Sequence, residues 1–151
     1  MKKIFGQLLC TTLGIVAPTL IIHAAPNDMA SPESIVQKQL DAYNSRDIDA
    51  FLSFYSDDAE LYTFPSSLLA KGKDKLRERY TTRFSDSKLH AVIVKRIVQG
   101  NIVIDHERVQ RMFPEGLGVL EAIAIYEVRD SKITKVTFIT GQTEIGGKLE
   151  P

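Results

Sequence analysis

The stretch "KLHAVIVKRIVQGNIVIDHERVQRMF", residues 88–113, contains the pattern that decides the fold. Two runs rich in valine and isoleucine flank Gly100 and Asn101, a residue pair that is typical of a tight turn between antiparallel strands. The pattern continues through two more runs, "VLEAIAIYEV" and "KITKVTFIT", which are separated by a second turn. The sequence therefore predicts four long strands that are joined by hairpins in one antiparallel sheet.

The residues before this meander show mainly helical periodicity. Ser31 is a suitable N-cap and Pro32 a suitable first residue for a helix whose apolar residues recur every three or four positions. Asp47 can cap a second helix, "IDAFLSFY", and a third runs from Lys73 to about Arg83 with its charges outward. Between these two helices, "AELYTF" predicts a short strand that Pro65 ends, and "SSLLAKG" predicts a loop. We therefore expect an α+β domain with three N-terminal helices packed on one face of a curved antiparallel sheet.

The first 25 residues have the organisation of an export signal. Two lysines precede an uncharged run from Ile4 to Ile22, and small residues follow in "HAAP". We expect residues 1–25 to be removed after export to the periplasm or the medium; the alternative is a retained membrane anchor, since the run is nearly long enough to span a bilayer. Cys10, the only cysteine, lies in this run, so the exported chain has no thiol.

The rest of the chain divides into a linker at residues 26–30, a domain at 31–140 and a loose, glycine-rich tail at 141–151. The 19 basic and 19 acidic residues of the whole sequence include interleaved runs such as "KGKDKLRER" and form no basic stripe, so we expect no nucleic-acid partner. No His-x-His, His-Glu-x-x-His or cysteine pair occurs, and no phosphate-binding glycine loop. We therefore expect no metal, no cofactor and, after signal cleavage, no membrane partner.

The order of these elements and the sequences of three stretches together resemble a known family. These are "AYNSRDIDAFLSFYSDDAELY" at residues 42–62, "GKDKLRERY" at 72–80 and "GNIVIDHERV" at 100–109. Together they resemble the NTF2-like superfamily, in particular its SnoaL-like branch of small bacterial proteins. The resemblance covers roughly residues 31–140. It implies a cystatin-like cone, in which the curved sheet wraps around the first helix and leaves an apolar cavity, often in a homodimer.

The resemblance leaves the function open, because the superfamily includes isomerases, cyclases, dehydratases, hydrolases and non-catalytic binding domains. In its ketosteroid isomerases two carboxylic acids carry the chemistry. The corresponding positions fall on about Thr63 and near Ala124 in this sequence. A threonine hydroxyl is too weak an acid to shuttle protons near neutral pH, so the resemblance disfavours true ketosteroid isomerase chemistry.

The polar stretch "IDHER", residues 104–108, is the main candidate for chemistry. Side chains alternate along a strand, so His106 faces one way while Asp105 and Glu107 face the other. If His106 faces the cavity, its ordinary pKa of about 6.5 suits a general base. If the two carboxylates face the cavity, they could divide acid and base roles. A third interpretation is that all three are ordinary charged groups on a half-exposed strand.

Our leading hypothesis is a small, largely apolar ligand bound in the cone, with proton transfer centred on His106. The ring would remove and return a proton next to a carbonyl, or eliminate water, while Tyr126 stabilises the developing oxyanion. Asp105 and Glu107 complete the catalytic candidates. The predicted ligand-binding residues bring rings or a carboxylate to the cavity: Tyr43, Tyr55, Phe64, Tyr80 and Glu121.

The rival hypothesis is a non-catalytic binding or interaction domain. In that case side chains fill the cavity, and the open face of the sheet forms a homodimer through residues such as Val92, Val94 and Ile125. The position of His106 discriminates between the two hypotheses, because an open pocket with this ring in its wall favours chemistry.

Overall fold

The computed structural model describes residues 30–149; the predicted signal segment, residues 1–25, and most of the predicted linker lie outside this range. The elements, in chain order, are α1 (Pro32–Ser45), α2 (Ile48–Ser53), β1 (Tyr55–Thr63), β2 (Ser67–Lys71), α3 (Lys73–Phe84), β3 (His90–Gln99), β4 (Ile102–Phe113), β5 (Gly116–Arg129) and β6 (Lys132–Ile145). The six strands form one sheet in the order β2-β1-β6-β5-β4-β3. Within residues 30–149, no helix is long and apolar enough to cross a membrane.

The predicted meander is confirmed in β3 to β6. Strand β4 has the bounds that its sequence predicts, and it pairs with β5 from Ile102 opposite Glu127 to Phe113 opposite Gly116. Two segments differ from the prediction. Ser67–Lys71 forms an edge strand against β1 where a loop was expected, and β6 continues to Ile145, into the predicted loose tail. The pairing of β1 with β6 is parallel.

The helix ends follow from short polar side chains. Ser31 accepts a hydrogen bond from the backbone N–H of Ser34 at 3.2 Å, as expected for an N-cap. Asp47 caps α2 by accepting from the backbone N–H groups of Asp49 and Ala50 at 3.1 and 2.9 Å. Helix α2 ends at Ser53, two residues earlier than predicted, because Tyr55 already begins β1.

The three helices cover one face of the sheet, which we call the inner face; the other is the outer face. The core between them centres on Phe51 of α2, which is fully buried. Its ring centroid lies 4.4 Å from that of Tyr80, 5.0 Å from Tyr55 and 5.3 Å from Phe84. Because these rings come from α2, α3 and the start of β1, this aromatic cluster joins the helices to the sheet.

Replacement of Phe51 by alanine should therefore destabilise the fold. We expect Phe51→Ala to lower the free energy of unfolding, measured by urea denaturation, by about 3–5 kcal/mol, because a large cavity is left in the core. Phe64→Ala is the matched control: its ring is 60% exposed, so we expect a change within about 0.5 kcal/mol. Equal effects of the two substitutions would contradict this description of the core.

Candidate ligand cavity and its buried carboxylates

Strand β4 presents Asp105 and Glu107 to the inner face of the sheet. Burial alternates strictly along the strand from Ile102 to Val109. Asp105 is 1% and Glu107 8% exposed, whereas His106 between them points to the outer face. Of the two arrangements that the sequence left open, the one with inward carboxylates is therefore found.

The Asp105 carboxylate is paired with Arg96 of β3. The Arg96 Nε donates to Oδ1 at 2.6 Å and Nη2 to Oδ2 at 2.7 Å, which is a bidentate ion pair. A third nitrogen, Nη1, donates to the Gln37 Oε1 of α1 at 2.9 Å. These hydrogen bonds and the charge of Asp105 raise the pKa of Arg96. Asp105 is thus engaged within the protein and does not line the cavity described below.

A β-bulge puts Arg96 in the position to make this pair. Along β3, Ile93 lies opposite Glu107, but the residue opposite His106 is Lys95, so Val94 is the extra residue. Arg96 then lies opposite Asp105. Without the bulge, the regular alternation would place Lys95 there, and a lysine cannot form the bidentate pair.

A cavity of about 200 Å³ lies between the helices and the inner face. Its wall combines apolar side chains with one carboxylate, three guanidinium groups, one amide and four tyrosine rings. These groups are Glu107; Arg79, Arg83 and Arg111; Gln39; and Tyr43, Tyr55, Tyr80 and Tyr126. The cavity thus brings together five of the residues predicted to form the site, namely Glu107 and the four tyrosines. The catalytic and ligand-binding roles predicted for them remain predictions.

Glu107 is the carboxylate of the cavity wall, and its environment differs from that of Asp105. Within residues 30–149 no hydrogen bond or ion pair joins its carboxyl to another group. Burial raises the pKa of Glu107 to about 7, with a further contribution from the negative charge of Asp105. A carboxyl group with this pKa can both take up and release a proton near neutral pH.

The tyrosine hydroxyls around Glu107 remain protonated. Burial raises the pKa of Tyr80 to about 12 and raises those of Tyr55 and Tyr126 well above the ordinary value. The charge of Glu107 contributes to the raised pKa of all three, so their hydroxyls lie within its electrostatic reach. Each hydroxyl is therefore available as a neutral hydrogen-bond donor to an oxygen atom in the cavity.

The expectation that His106 lies in the cavity wall is wrong. Its side chain is on the outer face and 36% exposed, with Nε2 at 2.5 Å from the Glu121 Oε1. Glu121, a predicted ligand-binding residue, is therefore on the outer face as well, where it contacts the His106 ring and not the cavity. The reason is the register of β4, which buries the odd-numbered residues from Val103 to Val109.

Phe64 also lies away from the cavity. It follows the last residue of β1, precedes the proline that ends the strand, and is 60% exposed. Leu69 of β2 lines the cavity, a contribution that depends on the edge strand missed from the sequence. The positions compared with ketosteroid isomerases are both on the inner side, since Thr63 lines the cavity and Ala124 is fully buried.

Sequence reasoning also missed the arginines of the wall. Arg79 and Arg83 belong to α3, whose charges were expected to face solvent, and Arg111 belongs to the end of β4. A signal for the first two was available: they flank Tyr80 and lie four residues apart, so they share one side of the helix. Arg111 continues the odd-numbered inner face of β4.

The chain belongs to the family of SnoaL-like domains, whose model matches residues 36–136. This places it in the SnoaL-like branch of the NTF2-like superfamily, and confirms the resemblance seen in the sequence. A comparison with curated protein sequences gives no significant match.

Several solved structures with similar folds are distantly related to this chain in sequence. An uncharacterised cystatin-fold protein from Novosphingobium aromaticivorans is 24% identical, aligned over 73% of this chain and 98% of the other with a TM-score of 0.67. The epoxide hydrolase/cyclase-like enzyme SalBIII, described for pyran ring formation in salinomycin, is 14% identical over 76% and 95%, with a TM-score of 0.68. A protein of ketosteroid isomerase-like fold from Catenulispora acidiphila, in complex with trimethylamine, is 14% identical over 72% and 85%, with a TM-score of 0.61. These similarities support the α+β fold with a curved six-stranded sheet.

The buried Glu107 should make stability depend on pH. Its pKa rises from 4.5 to about 7 on folding, so the folded state holds the proton more tightly. The resulting contribution to the free energy of unfolding is roughly 3 kcal/mol below about pH 4.5, and it is lost as the pH rises to about 7. We expect Glu107→Gln to remove this decline and to unfold at higher urea concentration than the parent protein at about pH 8.

The matched control is Glu115→Gln, at an exposed glutamate in the turn between β4 and β5. It should leave the pH profile of unfolding unchanged. A Glu107→Gln variant with the same pH profile as the parent would contradict the buried, unpaired state of this carboxyl.

Proposed function

We propose that this chain is an exported SnoaL-like protein that binds a small, largely apolar molecule in a cone-shaped pocket and transfers a proton on it through Glu107. The observation that carries the proposal is the Glu107 carboxyl, which has no partner among residues 30–149, has a pKa of about 7 and lies in a cavity lined by four tyrosines. A carboxyl tuned in this way can act as the general acid or base of a cofactor-independent isomerase or dehydratase. Export rests on the signal-like residues 1–25.

In the proposed reaction, the ionised Glu107 removes a proton from a carbon atom next to a carbonyl group. A neutral hydroxyl, from Tyr126 or Tyr55, donates a hydrogen bond to the oxygen on which negative charge develops. The protonated Glu107 then returns the proton to another carbon, or to a leaving hydroxyl, which departs as water. Glu107 thus takes the role of general base that the sequence suggested for His106. Burial raises the pKa of Glu107, and the negative charge of Asp105 raises it further.

Similar folds are associated with small molecules in two of the related structures. The Catenulispora protein is in complex with trimethylamine, and SalBIII is described for pyran ring formation. At 14% identity these structures support a ligand-binding scaffold, and the reaction proposed for this chain rests on its own residues.

The proton-transfer step can be tested with β-tetralone, a bicyclic ketone with acidic protons next to its carbonyl. We expect the protein in heavy water to accelerate hydrogen–deuterium exchange at that carbon, followed by proton NMR. The rate should rise through about pH 7 as Glu107 ionises, because the carboxylate is the base. Glu107→Gln should lower the enzymatic rate at least about 100-fold.

The matched control is His106→Gln, at the neighbouring position of β4, whose side chain faces outward. This variant should accelerate exchange of β-tetralone as much as the parent protein does. Loss of exchange in His106→Gln but not in Glu107→Gln would overturn the assignment. Absence of any exchange above that of the buffer, with β-tetralone bound, would contradict proton transfer and leave a binding protein.

We also propose that the outer face forms a homodimer, the interface that the sequence suggested under the rival hypothesis of an interaction domain. Val94 is 54%, Ile97 52% and Ile139 36% exposed on the strands that form this face. Val92 lies opposite Arg108, and Ile125 opposite Ile104, which gives both residues the outward orientation of β4's even-numbered positions. Exposed branched apolar side chains on one sheet face are a common basis for association.

Sedimentation can test this interface. We expect the parent protein to sediment as a dimer at micromolar concentration and Val94→Glu to sediment as a monomer, because the new charge would be buried between the subunits. Leu68→Glu is the control, since Leu68 is equally exposed at 54% but lies on β2, the opposite edge of the sheet from β3. A monomeric parent protein would contradict the proposal.

A further inference from the structure

Three guanidinium groups converge on the wall of the same cavity. Arg79 and Arg83 come from α3, and Arg111 comes from the end of β4. Burial is the largest cause of the lowered pKa of Arg111, and the positive charges of Arg83 and Arg79 lower it further. The three guanidinium groups therefore lie within electrostatic reach of one another. Like charges at this range repel one another, so the arrangement favours a negative charge among them.

The protein supplies no such charge by direct pairing. Within the described residues 30–149, none of the three arginines forms an ion pair with a carboxylate, although Arg77 on the same helix pairs with Asp49 at 2.7 Å. The Arg111 Nε is buried and has no hydrogen-bond partner among residues 30–149. Asp86 is the acidic residue whose charge reaches Arg111, but its oxygens already accept from the backbone N–H groups of Lys88 and Met112, at 2.8 and 2.7 Å.

Two of the three arginine side chains have aromatic neighbours that restrict their orientation. The Arg111 guanidinium carbon lies 4.1 Å from the centroid of the Phe113 ring, a stacking contact that restricts its plane. Arg83 acts on the hydroxyl of Tyr43, another residue of the cavity wall. A planar guanidinium that is fixed in this way is well suited to bind a carboxylate through two parallel hydrogen bonds.

The basic group and Glu107 define two parts of one cavity. Arg111 follows Glu107 by four residues on the same face of β4, so their Cα atoms are roughly 13 Å apart. The charges of Arg83 and Glu107 both act on the pKa of Tyr43 and of Tyr80, so these two rings lie within reach of both groups. A molecule in the cavity would contact apolar and tyrosine side chains between a cationic part and the proton-transferring carboxyl.

We infer that the ligand is an amphipathic carboxylate, whose anionic group is bound by Arg111, Arg83 and Arg79 while its apolar body extends towards Glu107. The inference deepens the proposed function and rests on it. It adds the chemical class of the ligand and its orientation: the carbon that exchanges a proton lies at the end of the molecule away from the carboxylate.

The test compares β-naphthoate with β-naphthamide, which have the same shape and differ in charge. Binding of each to the full exported chain is measured by calorimetry at about pH 6 and low salt, where most of Glu107 is protonated and does not repel the anion. We expect naphthoate to bind about tenfold more tightly than naphthamide, since charge-assisted hydrogen bonds to arginine are stronger than neutral ones. Added salt should reduce this preference.

Arg111→Met should abolish the preference for naphthoate while naphthamide still binds, and Arg83→Met should reduce the preference. The matched control is Arg108→Met, on the outer face of the same strand, which should keep the preference of the parent protein. Equal affinities of the parent protein for both probes would overturn the inference and leave ligand binding in place. Binding of neither probe would contradict the proposed function itself, and an effect of Arg108→Met as large as that of Arg111→Met would contradict the assignment to the cavity wall.

Discussion

The ion pair between Arg96 and Asp105 is the interaction on which the chemistry of this fold depends. Two carboxylates on one buried strand face would repel each other and destabilise the sheet. Arg96 neutralises one of them with two hydrogen bonds of 2.6 and 2.7 Å. Glu107 is then left as a solitary carboxyl in an apolar and tyrosine-lined space, where burial raises its pKa to about 7. The bulge at Val94 is the structural device behind this division, because it brings Arg96 rather than Lys95 opposite Asp105.

The cavity therefore combines three kinds of polar group with distinct ionisation behaviour. It contains an acid that titrates near neutral pH, tyrosine hydroxyls that stay protonated, and arginines without carboxylate partners among residues 30–149. The first two features support proton transfer on a carbonyl compound, and the third supports a ligand with an anionic end. Both depend on the helices, since α1 and α3 supply much of the cavity wall. The fold is shared with solved structures of low sequence identity, whereas the proposed function rests on the charged residues of this chain.

Much of the architecture could be predicted from the sequence. The strand Ile102–Phe113 has the predicted bounds, and the caps Ser31 and Asp47 mark the starts of their helices. The edge strand Ser67–Lys71 could not be predicted, because serines next to a proline indicate a loop until β1 offers backbone groups to pair with.

The site was less predictable than the fold for a physical reason. Alternation showed that Asp105 and Glu107 share a face opposite to His106, but valine and isoleucine occur on both faces of β4, so hydrophobicity could not identify the inner one. The bulge at Val94, which brings Arg96 opposite Asp105, has no signal in a run as uniformly apolar as "AVIV" at residues 91–94. Arg79 and Arg83 resembled solvated charges because a long side chain can reach either water or a cavity from the same helix position.

An NMR titration of the Glu107 carboxyl carbon, with Glu107→Gln to identify its signal, tests directly whether this carboxyl is buried and has a raised pKa. A buried carboxyl without a partner should titrate with a midpoint at about 7. A midpoint near the ordinary value of 4.5 would mean that Glu107 is hydrated or paired, and it would contradict the proposed role of this residue in proton transfer.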